Sequence, residues 1–357
     1  MFRSTPPRRG RFVLGATVAL AFLGVPAAGA MADPGALYTQ TNDPAGNLVE
    51  AFDRDARGEL TPAGTFATGG AGLAALGGRQ GAVELSDDES SVYAVNAGSN
   101  SVSALRATRN GLALSDVAGS GGVAPASVDE HHGRVYVLNS GGTPNVTAFR
   151  ARNDGSLEEI AGGSRDLPGA LGAAQVTVSP DGSALVVSER LSNRLETLPL
   201  DSAGRPGAPV ITASSGAVPF GFAFGHRDDL VVSEAGQSTV SSYRLGGSGL
   251  DGVTASLPVG FGAACWVAVA PNGRFAYTGN ASGSISGFAI GRDGALSAIG
   301  TTPTPSPRDL DFSRNGRFLY AVSPTGRVTG YDVGSDGSLE QVTSVPAAAG
   351  ITGAAAG

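Results

Sequence analysis

Apolar and polar residues alternate along this chain in short runs, each bounded by Gly, Pro, Asn or Asp. That is the pattern of half-buried strands joined by tight turns. One such pattern recurs seven times. The second copy reads VELSDDESSVYAVNAGSNSVSALRATRNGLAL, and its centre returns as RVYVLNSGGTPNVTAF, DLVVSEAGQSTVSSY and RFLYAVSPTGRVTGY. The anchors Tyr38, Tyr93, Tyr136, Val186, Val231, Tyr277 and Tyr320 lie 43 to 55 residues apart, a period that marks a repeat architecture.

Each unit reads as a four-stranded antiparallel meander. In the sixth, Trp266 to Ala270 is followed by a Pro271-Asn272-Gly273 turn, Arg274 to Thr278, a polar loop, Ile285 to Ile290, an Asp293-Gly294 turn and Leu296 to Ile299. The turns use residues that tolerate positive φ. Four strands repeated radially predict an all-β fold, a seven-bladed β-propeller, whereas a linear β-helix needs a shorter and more uniform repeat. The first unit lacks an inner strand before Ala36 to Gln40, and the chain ends in an unmatched Ile351 to Ala356. The C-terminal strand is therefore predicted to complete blade one and close the ring, removing two exposed sheet edges.

Composition changes this picture little. The 55 glycines are spread through turns at the repeat spacing, and all 24 basic residues are arginine. Residues 1–32 read as an export signal: Arg3, Arg8, Arg9 and Arg11 precede an apolar stretch from Phe12 to Val25 and small residues at Ala28 to Ala32. Both general secretory and twin-arginine routes fit. Residues 33–357 are then a single propeller, secreted or extracytoplasmic and without a membrane span, and monomeric. Loss of the four arginines leaves 20 against 31 acidic residues, a net charge of −11, which argues against nucleic acid or anionic lipid as a partner. The lone Cys265 excludes an internal disulfide.

Topology sorts the polar residues between two faces. The B–C loops and D-to-A connections share an entrance face. His131, His132 and His226 fall in A–B turns on the opposite face, as solvated turn residues. At the end of strand B one position reads Asn96, Asn139, Glu189, Glu234, Asn280 and Ser323, with Thr41 in blade one. Asn there caps a strand; the carboxylates Glu189 and Glu234, with Arg190, Arg194 and Arg308 nearby, can bind a polyhydroxy or anionic ligand, activate water, or form an ion-pair network.

The turns of the type Ser179-Pro180-Asp181-Gly182, the run Trp266 to Gly273 and the segment Pro307-Arg308-Asp309-Leu310-Asp311-Phe312 resemble inner-strand motifs of the seven-bladed lactonase family, which includes propeller-type 6-phosphogluconolactonases and a fungal muconate lactonizing enzyme. YVTN-type surface propellers are similar too. The resemblance spans the expected mature chain. It implies that Glu234 supplies the family's acid and that Arg308 is the Arg of its last blade. Ala174, beside Gln175, stands where the family has His, and Phe220 where it has Arg.

Two functions follow as expectations. In the first, an exported hydrolase opens a sugar lactone or related cyclic ester, with Glu234 as general base, Glu189 assisting and Arg308 polarising the carbonyl. Arg190, Arg194, Gln175, Trp266, Asn96, Asn139 and Asn280 would bind the substrate. No metal or other cofactor is required, although a variant places a divalent cation on Glu189, Glu234 and an Asn. In the second, a non-catalytic propeller binds a glycan or protein on its entrance face.

Overall fold

The computed structural model describes residues 1–2, 35–74, 79–247 and 249–357. The predicted signal, residues 1–32, lies outside the described residues apart from its first two. The remainder folds into seven four-stranded antiparallel sheets. Naming strands A to D from the axis outward, blade one consists of Thr352–Ala356, Gly35–Gln40, Leu48–Arg54 and Leu60–Ala67. Blade two is Val83–Leu85, Ser91–Asn96, Ser101–Thr108 and Gly111–Gly119. Blade three is Val123–His131, Arg134–Gly141, Asn145–Ala151 and Leu157–Asp166. Blade four is Ala173–Val178, Ala184–Glu189, Arg194–Pro199 and Val210–Ala213. Blade five is Pro219–Phe224, Asp229–Glu234, Thr239–Gly246 and Gly249–Pro258. Blade six is Ala264–Val269, Phe275–Asn280, Ser284–Ile290 and Leu296–Pro303. Blade seven is Asp309–Phe312, Phe318–Ser323, Arg327–Val333 and Leu339–Pro346.

The ring closes as the termini predict. Strand A of blade one is the C-terminal segment, paired antiparallel with strand B at Leu37↔Ala356, Tyr38↔Ala355 and Gln40↔Thr352. The tight turns also match: Gly273 and Gly294 take φ of 65° and 83°, a region that costs glycine nothing and other residues much more.

The core lies between blades. Because strands B and C are covered on both faces by neighbouring blades, they read as nearly continuous apolar runs, and one apolar cluster joins blades three and four through Tyr136, Leu138, Val176, Leu185 and Leu198. Outer strands such as Leu60–Ala67 are mostly exposed. The repeated aromatic anchor explains part of the periodicity. Tyr277 of blade six is buried, and its hydroxyl donates to the Gly337 carbonyl in the C–D turn of blade seven at 2.9 Å. A buried phenol needs such a partner, so the anchor both fills the interblade space and fixes the next blade's turn.

Strand A lines the axis, and near its entrance end the pairing with strand B slips in blades one, three, four, five and six. In blade four the slip falls between Ala173 and Gln175, and in blade six between Ala264 and Trp266. A one-residue bulge breaks the strict inward–outward alternation and re-aims side chains, here at the mouth of the channel.

Candidate functional site

Three guanidiniums gather where strands A begin. Arg190, just past strand B of blade four, lies over the Phe220 ring at 5.2 Å. Arg308, just before strand A of blade seven, lies over the Trp266 indole at 5.5 Å. The two rings meet edge to face with centroids 5.9 Å apart, so the aromatic pair forms a floor between the two cations. Arg79, four residues before strand A of blade two, is buried and donates from Nη1 to the Ala173 carbonyl at 2.8 Å. Among the described residues no carboxylate forms an ion pair with any of the three. Burial, then the neighbouring Arg190, lowers the Arg79 pKa to about 10, and burial lowers that of Arg190. Both remain cations at neutral pH, and an anion placed among them relieves the repulsion.

Cys265 sits beside this cluster. Burial raises its thiol to about 11 against the pull of Arg308 and Arg190, so it is a protonated wall residue and not a thiolate nucleophile.

A layer of amides floors the mouth. Gln175 accepts the Phe222 N–H and donates to the Phe222 carbonyl, both at 2.8 Å, and Gln80 joins the Val267 peptide from the other side of the axis. At this level Gly221 is obligatory, since a Cβ there would lie 2.2 Å from the Gln80 Oε1. Gln80 and Gln175 also border an axial cavity of about 250 Å³, whose wall includes Glu84, Asp129, Asp309 and Asp311. Glu84, Asp129 and Asp311 occupy one register position, each opposite the tyrosine anchor of its own strand B. Asp129 accepts the Val178 N–H at 2.6 Å and Asp311 the Ala356 N–H at 2.7 Å, each linking its blade to the next. Burial pushes Asp129 and Asp311 up to about 7.

Arg308 also borders a cleft of about 750 Å³ on the entrance face, between blades one and seven. Asp43 and Glu50 are the carboxylates of its lining. Glu50 is engaged by the Ala348 N–H, whereas Asp43 is exposed and spends one oxygen on the Ala45 N–H at 2.8 Å. The loop is fixed by its neighbour: Asn42, at φ 54°, exchanges hydrogen bonds with both the N–H and the carbonyl of Leu73. The cleft therefore unites one open carboxylate with one guanidinium free of carboxylate partners.

Several expected site residues lie elsewhere. Glu234 is fully buried: its Oε1 accepts the Gly216 N–H at 2.7 Å and the Ser241 hydroxyl at 2.6 Å, and its Oε2 accepts the Thr239 hydroxyl at 2.6 Å. A Cβ at position 216 would lie 2.3 Å from Oε2, so the carboxylate is enclosed by a glycine backbone. Glu189 is equally buried, paired with Arg194 at 2.7 Å, and Arg194 also holds Glu196 at 2.6 Å. Burial and the adjacent Glu189 push Glu196 up to about 8, so this triad carries a proton at neutral pH. Arg194 is thus committed inside blade four. Among the described residues Glu189 and Glu234 share no hydrogen-bonding partner, and neither belongs to a group spaced to hold a metal ion.

Asn96, Asn139 and Asn280 are buried and hydrogen-bonded to neighbouring protein groups. Asn96 donates to Ser101 and Ser103, Asn280 to Ser284 and Ser286, and Asn139 to the Ser120 carbonyl. Of the expected substrate contacts, Arg190, Trp266 and Gln175 lie at the mouth, beside Arg308, the residue expected to polarise the carbonyl. Trp266 is buried beneath Arg308, and Gln175 is spent on Phe222, so the two arginines carry the exposed chemistry. Arg79, Gln80 and Asp43 also stand at the mouth or its cleft and are not among the expected residues. The sequence signals available were an Arg shortly before an inner strand, as at Arg308, and an Asp in an entrance-face loop.

Fold and mouth together define a closed seven-bladed propeller with arginines at the mouth of an axial cavity lined by carboxyl groups. The chain belongs to the seven-bladed β-propeller lactonases, matching the family described as "Lactonase, 7-bladed beta-propeller" over residues 134–250 and 259–352. Among curated proteins none matches it by sequence. Similar solved structures include a candidate 6-phosphogluconolactonase from Bacteroides fragilis, with 17% identity and a TM-score of 0.75 over 91% of this chain and 98% of that one. A periplasmic gluconolactonase from Pseudomonas aeruginosa shares 16% identity with a TM-score of 0.74, over 90% and 98% of the two chains. At such identities the likeness shows the fold.

Proposed function

We propose that this propeller hydrolyses a lactone at the entrance-face mouth. Family membership supports a lactone hydrolase, and the observation that carries the reading is the set of three guanidiniums without carboxylate partners at the mouth, one of which, Arg308, lines a cleft of about 750 Å³ together with Asp43. In this reading the lactone carbonyl faces Arg308, whose charge stabilises the oxyanion as a water oxygen adds to the carbonyl carbon. Asp43 takes the proton of that water and returns it to the ring oxygen as the acyl C–O bond breaks. The product is a hydroxy acid, whose own ionisation releases one proton. Arg79 and Arg190 hold a carboxylate, phosphate or polyhydroxy substituent, and no metal takes part. Glu234 and Glu189 support their blades and do not touch the substrate.

The decisive assay is hydrolysis of a lactone panel by the protein with and without EDTA. Turnover insensitive to EDTA, with kcat/KM lowered roughly 10²-fold in both Arg308→Ala and Asp43→Asn, is the expected result. Absence of turnover on every lactone would favour plain binding of a glycan or protein at the same mouth, a reading favoured by the closure of Glu234 to solvent. Export fits either reading. N-terminal sequencing of protein from culture medium tests it, with a mature start near Asp33 expected.

A further inference from the structure

On the face opposite the mouth, the A–B turns of blades two and three bring Asp87, His131 and His132 together, with one ligand-capable atom from each within 4.8 Å of the others. We propose that these residues form a binding site for a divalent transition-metal ion of the zinc type. The Asp87 Oδ2 lies 3.5 Å from the His131 Nδ1 and 3.2 Å from the His132 Nδ1. A zinc ion at about 2.1 Å from each ligand sets tetrahedral ligand–ligand edges of about 3.4 Å, so both pairs already stand at coordination spacing. The imidazole pair selects zinc, copper or nickel over calcium and magnesium, which take oxygen ligands.

The arrangement is held in place by the backbone. His132 adopts φ 51°, uncommon for a non-glycine residue, and its N–H donates to the same Asp87 Oδ2 at 3.0 Å. Glu130 ties the two turns together by accepting the Asp87 N–H at 2.7 Å and the Gly133 N–H at 2.5 Å. The two imidazoles lie tilted by 39° with centroids 4.0 Å apart, and His131 rests against the Gly182 turn of blade four. Three protein ligands leave a position open to water. A bound ion would clip blade two to blade three at their far-face turns.

The test uses the untagged full-length chain stripped with EDTA. Calorimetric titration with Zn²⁺ is expected to give one equivalent per chain, Ca²⁺ no heat, and saturating Zn²⁺ a higher Tm that EDTA reverses. His132→Ala and Asp87→Asn should each weaken Zn²⁺ binding about tenfold or more, whereas His226→Ala, which removes the remaining histidine, should leave it unchanged. Titration of the unaltered chain with Co²⁺ supplies a readout independent of any variant's folding, as a visible ligand-field spectrum at one equivalent. Failure of the unaltered chain to bind Zn²⁺ or Co²⁺ stoichiometrically would overturn the proposal. So would Zn²⁺ affinity unchanged in a folded His131→Ala/His132→Ala protein.

Discussion

Gln80 of blade two crosses the channel axis and binds both polar groups of Val267 in blade six, accepting its N–H at 2.9 Å and donating to its carbonyl. The blades are on opposite sides of the ring, so one side chain ties together inner strands far apart in sequence. It also seals the floor beneath the arginines. Gln80→Ala leaves the Val267 N–H without that acceptor in a buried setting, a loss of ~1–3 kcal/mol. The expected result is a Tm lower by several degrees in thermal denaturation. Gly221→Ala should act at the same place from the opposite side, since its Cβ would displace the Gln80 amide. A Tm unchanged in both would show that the bridge contributes nothing.

Glu234 offers the sharpest contrast between stability and chemistry. Its oxygens accept one N–H and at least two hydroxyls, contacts strengthened by the acceptor's charge. Glu234→Gln turns one acceptor into a donor that faces hydroxyls already committed, and should cost ~1–3 kcal/mol. On a confirmed lactone, kcat/KM per folded molecule should stay within about twofold of the parent, against the roughly 10²-fold loss expected of a general base. Measuring Tm and kcat/KM on the same preparation separates the roles, and a large fall in kcat/KM at unchanged Tm would restore Glu234 as the base.

The channel carboxylates set a pH dependence. Burial holds Asp129 and Asp311 at about 7, above the ordinary 3.8, so between about pH 4 and 7 the folded protein binds more protons than the unfolded chain. Stability is therefore greatest on the acidic side of this window and declines as pH rises through it. The Tm should fall between pH 5 and pH 8, and the double variant Asp129→Asn/Asp311→Asn should show a flatter profile. A Tm that rises over that interval would contradict the protonated channel.

The fold was legible because the repeat is written in residues whose physics is local. Tight turns need Gly or Asn, interblade faces need apolar side chains, and the missing inner strand at one end matched the surplus strand at the other. The site was only partly legible. Arg190 and Arg308 lie at the mouth as their positions at strand ends suggest, whereas Glu234 and Glu189 are sealed and Arg194 is paired with Glu189 and Glu196, because alternation tells which side of a strand a residue occupies and not whether that side is closed. The hydroxyls that enclose Glu234 come from strand C of its own blade and from the connection before it, and nothing in the spacing announces them. The acid layer at Glu84, Asp129 and Asp311 was readable in principle, since all three share one register position. Each acid is isolated in its own strand, so local spacing alone does not draw the three together.

Ring closure yields the last prediction. The seam between blades seven and one is joined at three levels: the C-terminal strand pairs with Gly35–Gln40, the Asp311 carboxylate accepts the Ala356 N–H, and the Tyr320 hydroxyl donates to the Gly58 carbonyl at 3.1 Å. These contacts span nearly the whole sequence, so they form only when the two ends of the propeller meet. Deleting residues 350–357 removes the inner strand of blade one, exposes the edge of strand B and strips Asp311 of a donor, and should lower the Tm by well over the few degrees that ~1 kcal/mol produces in a domain of this size. Tyr320→Phe, which removes only the hydroxyl and leaves the Gly58 carbonyl without its partner, should cost ~1 kcal/mol and a shift of a few degrees. A deletion no more damaging than Tyr320→Phe would mean that the C-terminal strand adds little to closure, and an unchanged melting curve in both would refute the seam as a source of stability.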